Sequence, residues 1–482
     1  MAIAFELDGR AVEVPDDGAS LLEALRDRLG ERSPKDGCSP QGQCGCCTVW
    51  VDDQPRVACV TPVRRVAGRA VTTLSGLPTR DEWAERLVTT GGSQCGFCTP
   101  GIIMRLAAGG NLAAHLCRCT GWQTITEEPD VVRASCGMRQ DARTTEAAAR
   151  RATIEGGAAQ RVGRDVPLGA AGFADDTAPL DALVAVPDGR GGYAIGETLT
   201  EARRKADKVQ GRRTTAPLRH PLEVPDGDWA RTLRTTWVEP AYLETDASWC
   251  APGGEPATPL ANGGAFGGKT RSAVTADARR LADEHGRTVR VLWSREDAVR
   301  LGPKRPPIAA GVRDDGTGRV VVVRTPGVRE VFESYGLDVI EVDVAGPPTA
   351  LLRAPWAEAA VLTGVQLRAE ATISEDGTSV HVTVDAGDPL DEVVLRSYCI
   401  GATHMALGWV RSEGIAVDEA GVVHDLTIRS FGIIRPGDMP SVAVDIQPSG
   451  GEPVNGSDHV FAAVARAEWA RLGFPPAWPV QR

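Results

Sequence analysis

Apolar and polar positions alternate through Ile3-Ala4-Phe5-Glu6-Leu7, Asp8-Gly9 interrupts them, and alternation resumes from Ala11 to Val14. Period-two patterning on both sides of an Asp-Gly pair predicts a β-hairpin. The period then lengthens. Leu21-Leu22-Glu23-Ala24-Leu25-Arg26 places apolar residues at helical spacing, with Ser20 as N-cap and Gly30 as stop. Val49-Trp50-Val51, a turn at Asp52-Asp53, and Arg56 to Val60 predict a second hairpin. Asp81 to Val88 reads as a short amphipathic helix, and Cys98 to Leu106 as the start of another, capped by Thr99 with Pro100 in its first position. Further on, Val289 to Trp293, Arg319 to Arg324 and Ser379 to Val384 read as strands. Helical patterns from Ala273 to His285 and from Phe461 to Leu472 lie among them. Mixed strands and helices of this kind predict an α+β chain.

Composition narrows the class. A chain of 482 residues is too long for one ordinary core, so two or three domains are expected. Hydrophobic content of 42% and charged content of 24% suit a soluble globular protein. A net charge of −11 argues against nucleic acid as partner, because phosphate binding needs a basic face. The N-terminus lacks the basic and apolar regions of a signal peptide, and no apolar run reaches the length of a membrane span, so a cytoplasmic protein is expected. In that compartment twelve cysteines point to metal ligation rather than disulfides.

Eight of the cysteines fall into two groups of four. Cys38, Cys44 and Cys47 lie in a glycine-rich loop and Cys59 comes one hairpin later, a C-x5-C-x2-C-x11-C spacing. Cys95, Cys98, Cys117 and Cys119 form C-x2-C-x18-C-x-C. An iron–sulfur cluster needs four converging thiolates, and a loop wrapped around it needs glycine where the backbone bends toward the sulfides. The first spacing is that of a plant-type ferredoxin with one extra residue in its first gap. Cys47 is chosen over its neighbour Cys46 because it keeps the two-residue gap from Cys44. Cys98 at a helix N-terminus would have its thiolate favoured by the helix dipole, with Cys117 to Gly121 facing it from a second helix start. Structural zinc is the competing reading, but zinc knuckles usually pair symmetrically. Cys46, Cys136, Cys250 and Cys399 need no role beyond packing.

With Ser93-Gln94-Cys95-Gly96-Phe97-Cys98-Thr99-Pro100-Gly101 and Leu116-Cys117-Arg118-Cys119-Thr120-Gly121-Trp122, the chain resembles the iron–sulfur part of the xanthine dehydrogenase/aldehyde oxidoreductase family of molybdenum hydroxylases. The resemblance implies two [2Fe-2S] clusters and a molybdopterin cofactor, which the residue matching Gln94 touches. It divides the chain into a β-grasp ferredoxin-like domain (1–77), a helical [2Fe-2S]-binding domain (78–140), a linker (141–165) and a molybdopterin-type region (166–482). The linker, rich in Ala, Arg, Glu and Thr, is expected to be an exposed helix or loose connector. In the last region Arg164 to Asp176, Trp237 to Glu244 and Leu407 to Pro440 resemble family segments. So does Gly263-Gly264-Ala265-Phe266-Gly267-Gly268-Lys269, where Gly264, Ala265, Phe266, Gly267 and Gly268 are the cofactor-binding candidates. A glycine loop can turn backbone N–H groups toward an anion, although a plain turn between strands is the commoner explanation.

The chain departs from the family in two places. Eighteen residues between Cys98 and Cys117 make a short connection, and the molybdopterin-type region is shortened with no recognisable FAD domain. Where the family places a catalytic glutamate, this chain reads Val454-Asn455-Gly456-Ser457-Asp458-His459. Asp458 is either a shorter general base or a loop carboxylate capping the helix that follows. Surface or hydrogen-bonded core roles are expected for the seven histidines. The resemblance implies an oxidoreductase that hydroxylates an aldehyde or N-heterocycle and passes electrons to a flavin subunit or separate acceptor, and it suggests a homodimer. The alternatives are an electron-transfer subunit that no longer binds molybdopterin and a zinc-binding interaction protein.

Overall fold

Ile3, Phe5, Leu7 and Val14 are all buried on one face of the first hairpin, which is why its register holds. β1 (Ala2–Leu7) and β2 (Arg10–Pro15) pair antiparallel, Ile3 opposite Val14 and Phe5 opposite Val12, through a turn with Asp8 and Gly9 at positive φ. The structure is a computed structural model that describes residues 1–135, 143–207, 216–447 and 449–481. Cys136 and the first two residues of the expected linker lie outside the described residues.

With β3 (Thr48–Val51), β4 (Gln54–Val57) and β5 (Ala70–Thr72), the hairpin forms a five-stranded sheet in the order β2-β1-β5-β3-β4, with β1 and β5 parallel. Ser20 Oγ accepts the Glu23 N–H at 3.2 Å, as an N-cap does. The helix it starts is a short α turn, Leu21–Glu23, that widens into a π-helical Ala24–Arg28. Arg26 is buried there, donating to the Pro34 carbonyl and to Asp175 and Asp176. Cys59 is not on a strand. It sits in the 3-10 turn Ala58–Val60, where its N–H reaches Cys47 Sγ at 3.4 Å instead of a ladder carbonyl.

In the helical part, Arg80–Thr90 ends at Gly91 in the left-handed conformation. The next helix, Thr99–Ala107, begins one residue earlier than expected. Cys98 takes the N-cap position, and the Thr99 hydroxyl meets Ser93 Oγ at 3.1 Å instead of capping. The second helix start also shifts. Gln123–Thr126 follows Trp122, so Cys117 to Gly121 form a loop ahead of it.

Three further sheets follow. β6 (Leu183–Pro187), β7 (Tyr193–Gly196), β9 (Ala247–Cys250) and β10 (Val289–Leu292) lie in the order β7-β6-β10-β9. β8 (Arg231–Arg234), β11 (Ile308–Val312), β12 (Gly318–Val323) and β13 (Leu337–Val342) make β13-β12-β11-β8. β14 (Ala369–Ile373), β15 (Ser379–Val384) and β16 (Ser441–Ile446) complete the set as β14-β15-β16. Against the last sheet pack Glu392–Arg411 and Ser457–Arg471, in a core that includes Val382, Leu395, Trp409, Phe461 and Val464. The first of these helices is buried from Val393 to Val410 and apolar around most of its circumference, as an interior helix is. The fold is therefore α+β.

The expected exposed connector is a well-anchored helix, Thr145–Gly156, capped by Thr144. Arg151 and Glu155 on it are both 0% exposed. Arg151 bonds Glu155 at 2.9 Å and the Pro389 and Val454 carbonyls, so charge compensation from remote loops holds inside what its composition would leave in water. No helix among the described residues is long and apolar enough to cross a membrane.

Candidate functional site

Cys38, Cys44, Cys47 and Cys59 converge although strands and turns separate them, and each is at most 4% exposed. Contacts with Cys44 and Cys59 hold the Cys38 thiol well below its usual range, while contacts with Cys38 and Cys47 push Cys59 up. The Gln43 N–H points at Cys38 Sγ at 3.4 Å. Gly37 has a steric reason. A Cβ there would lie 3.1 Å from both Cys44 Sγ and Cys46 Sγ and 3.2 Å from the Phe97 ring. Cys46, expected only to pack, is fully buried in contact with Cys44, with Cys38 and Cys47 of the first group and Cys95 of the other within electrostatic reach. It does not share in the Cys38–Cys59–Cys47 contacts. Cys47→Ser is therefore expected to lose the absorbance of the first cluster, while Cys46→Ser keeps it. Iron content and visible absorbance of the two purified variants would check this, and the reverse outcome would move the ligand to Cys46.

The second group has an inner and an outer pair. Cys98 and Cys117 are buried in mutual contact, and that contact brings the Cys117 thiol down to about 6 against the effect of burial. Thr120 Oγ1 adds a hydrogen-bond partner to Cys117 Sγ at 3.1 Å. Cys95 and Cys119 are half-buried, with sulfurs 3.6 Å apart. The eleven described cysteines are all free, and no three His, Cys, Asp or Glu side chains among the described residues form a single-ion site. Two sets of four free thiols, six of the eight buried, with N–H or hydroxyl partners and glycine where a side chain would collide, fit a pair of iron–sulfur clusters.

Arg118 projects away from between Cys117 and Cys119. Its guanidinium grips Glu413 with two bonds of 2.6 Å, and its Nε–H donates to the Pro240 carbonyl at 3.3 Å. Burial pushes the Glu413 carboxyl up, and Arg118 opposes that. Both residues fall in segments that resemble the family, Leu116 to Trp122 and Leu407 to Pro440, but no local pattern joins them.

The outer pair opens onto a cleft of about 270 Å³. Gln94, Cys95, Cys119, Gly264, Phe266, Gly267 and Asp458 all line it, although they come from both ends of the chain. Ala265 and Gly268 do not. Gly268 instead packs on Tyr242, where a Cβ would lie 2.5 Å from the ring. Lys269 also turns inward, to Glu244 at 2.5 Å, and burial raises that carboxyl to about 7. The glycine segment is not a plain turn. Six successive residues from Asn262 to Gly267 have φ between 43° and 144°, three of them not glycine. Such a run is uncommon backbone that neighbouring packing must hold, and it can gather N–H groups on one side. Asn262 Nδ2 ties it to the second thiol group through the Cys95 carbonyl, at 3.1 Å.

Gln94 Nε2 donates to the Cys119 carbonyl at 2.9 Å and to Ser397 Oγ at 3.0 Å, so its amide braces the cleft wall. The Glu392–Arg411 helix comes so close here that a Cβ at Gly401 would overlap the Cys119 carbonyl at 1.8 Å. Asp458 lies in the first turn of Ser457–Arg471, with Oδ1 held by Arg353 Nε–H at 2.8 Å. It does not cap that helix. The Gly456 and Ser457 N–H groups go to Glu155, at 3.1 and 2.9 Å. Glu155, Arg353 and Tyr398 line the cleft and were not singled out in the sequence, where no local motif distinguishes them.

Residues 5–64 match the family model of the 2Fe-2S iron-sulfur cluster binding domain, so the first domain is one that holds such a cluster. The chain is 38% identical over 154 residues to a xanthine dehydrogenase of Drosophila subobscura, covering 26% of this chain and 11% of that protein. It is 37% identical over 134 residues to an aldehyde oxidoreductase of Megalodesulfovibrio gigas, covering 23% and 14%. These matches span 11% and 14% of the curated relatives' length. In fold the likeness runs further. The crystal structure of the aldehyde oxidoreductase from Desulfovibrio desulfuricans superposes with a TM-score of 0.68 at 13% identity, covering 96% of this chain and 97% of that one. That of Desulfovibrio gigas gives a TM-score of 0.65, also at 13% identity, with the same coverage.

Proposed function

For a chain that belongs to the xanthine dehydrogenase/aldehyde oxidoreductase family, we propose the activity of an iron–sulfur molybdenum hydroxylase acting on a small aldehyde or N-heterocycle. Replacing a C–H bond by C–OH with oxygen from water releases two electrons and two protons. The electrons would leave singly, through the Cys95/Cys98/Cys117/Cys119 group and then the Cys38/Cys44/Cys47/Cys59 group, to a flavin subunit or separate acceptor. The observation that supports this reading is the shared cleft. It puts Cys95 and Cys119, the left-handed glycine run and Asp458 on one wall system.

A molybdopterin cofactor bound there would supply oxygen transfer and accept the electron pair. The donor set suits it, with glycine backbone on one side and Gln94 on the other. The chain's own residues then have separate tasks. Asp458 would accept a proton at its carboxylate while Arg353 holds Oδ1 in place. Phe266, Leu351 and Leu352 would keep bulk water from the reacting carbon.

Elemental analysis tests the proposal. About four iron atoms and one molybdenum per chain are expected. Iron without molybdenum would replace it with the electron-transfer subunit, and zinc alone would overturn both. Asp458→Asn should lower kcat by at least about 100-fold while molybdenum stays bound. Unchanged turnover would remove the base from Asp458.

A further inference from the structure

Arg429 comes from the C-terminal part, in the 3-10 turn Ile428–Ser430, yet it meets both cysteine-bearing segments. Its Nε–H donates to the Gln43 carbonyl at 3.0 Å and its Nη2–H to the Ala114 carbonyl at 3.0 Å. The neighbouring backbone is tied to the same loop. Gln41 Nε2 donates to the Leu426 carbonyl at 2.8 Å, and the Ile428 N–H donates to Gln41 Oε1 at 3.3 Å. Ile428 is fully buried in the core that also holds Cys38, Cys44, Cys47 and Cys59.

The bond to Gln43 bears on the first thiol group because of how a peptide unit is built. The Gln43 carbonyl and the Cys44 N–H belong to one peptide group. At its other end the Cys44 N–H, together with the Gln43 N–H at 3.4 Å, favours the Cys38 thiolate. Guanidinium, carbonyl, N–H and sulfur thus stand in series, and hydrogen bonds in series polarise one another. The two hydrogen-bond acceptors of Arg429 are neutral carbonyls, and the charged groups that act on it most are Arg435 and the Cys44 and Cys38 thiols. The second group differs, since Arg118 between its thiols is matched by the Glu413 carboxylate.

We propose that Arg429 is a positioning residue that raises the reduction potential of the first cluster, by holding positive charge against the peptide group that faces Cys38. The inference rests on the cluster reading above. One-electron reduction adds one negative charge to a cluster and breaks no bond in the chain. A fixed cation and a polarised N–H stabilise the reduced form over the oxidised one. The matched Arg118–Glu413 pair brings the second cluster no such net charge, so the electron is drawn toward the Cys38 group.

The test is a dithionite redox titration of the full chain, read by low-temperature EPR, with Cys98→Ser assigning the signal it retains to the first cluster. Arg429→Gln removes the charge and keeps an amide donor for the Gln43 carbonyl. It should shift the first cluster's reduction equilibrium at least about tenfold toward the oxidised form, about 59 mV for a one-electron couple. The second cluster's midpoint should stay within about twofold of the wild type on the same scale. Arg429→Lys keeps the charge and should recover most of the shift. Gln41→Ala cuts the neighbouring tether but leaves the charge, and should move the first midpoint less than about threefold. Where Arg429→Gln does not retain iron, Arg429→Met, which keeps an unbranched stem, carries the same expectation. An unchanged first midpoint with both signals present would overturn this inference alone, as would equal shifts of both clusters or equal shifts in the glutamine and lysine variants. A wild-type protein without iron–sulfur signals would overturn the cluster reading and this inference together.

Discussion

Cys98→Ser is expected to reduce bound iron from about four atoms per chain to about two and to erase one of two low-temperature EPR signals. The choice of residue makes the result readable. Cys98 occupies the N-cap of Thr99–Ala107, a position that serine fills well, so the helix should keep its start while the thiol is lost. The first group should be untouched, because Cys38, Cys44, Cys47 and Cys59 draw their contacts from a different loop and sheet. On the proposed route, cluster-linked turnover would then fall to background, since electrons leaving the cleft would lose their first stepping stone. Four irons retained after the substitution would mean that Cys98 is not a ligand.

The other large effect is expected at Glu413. Its carboxylate is the bidentate partner of Arg118, both side chains are nearly inaccessible, and they lie 295 residues apart. Glu413→Ala leaves the buried Arg118 guanidinium without a counter-charge, with only the Pro240 carbonyl as partner, which typically costs about 3–5 kcal/mol. Urea unfolding should show the loss as a lower midpoint, with EPR reporting a weakened second cluster. Glu413→Gln keeps a hydrogen-bond acceptor in place and should cost less. Equal stability of the alanine variant and the wild type would mean that the pair does not hold the Cys117–Cys119 loop against the C-terminal part.

Much of the first 130 residues could be read directly. The hairpin at Asp8-Gly9, the Ser20 cap and the two groups of thiols follow from alternation, turn chemistry and short spacings, each fixed by neighbours a few residues away. The misreadings came where tertiary contacts overrode local pattern. The Thr144 to Gly156 segment looked exposed because its composition is charged, but Arg151 and Glu155 find partners in the Pro389 and Val454 region that no window reveals. Thr99 looked like a cap because threonine before proline often is one, and here its hydroxyl is taken by Ser93. Asp458 was seen as either base or cap, and Glu155 removes the second role by taking the N–H groups at that helix start.

By itself the sequence determined that eight thiols fall into two short-spaced groups of four, because spacing within a loop is local, as is the glycine beside a sulfur. It also determined the α+β pattern, since hydrophobic period is a local property. Only the tertiary structure decided that Gln94, Cys119, Phe266, Arg353 and Asp458 share one cleft. It alone placed Cys46 beside Cys44 and joined Arg118 to Glu413. Those outcomes depend on which buried charges and apolar faces meet across hundreds of residues, and burial energy is settled by the packed whole rather than by any segment.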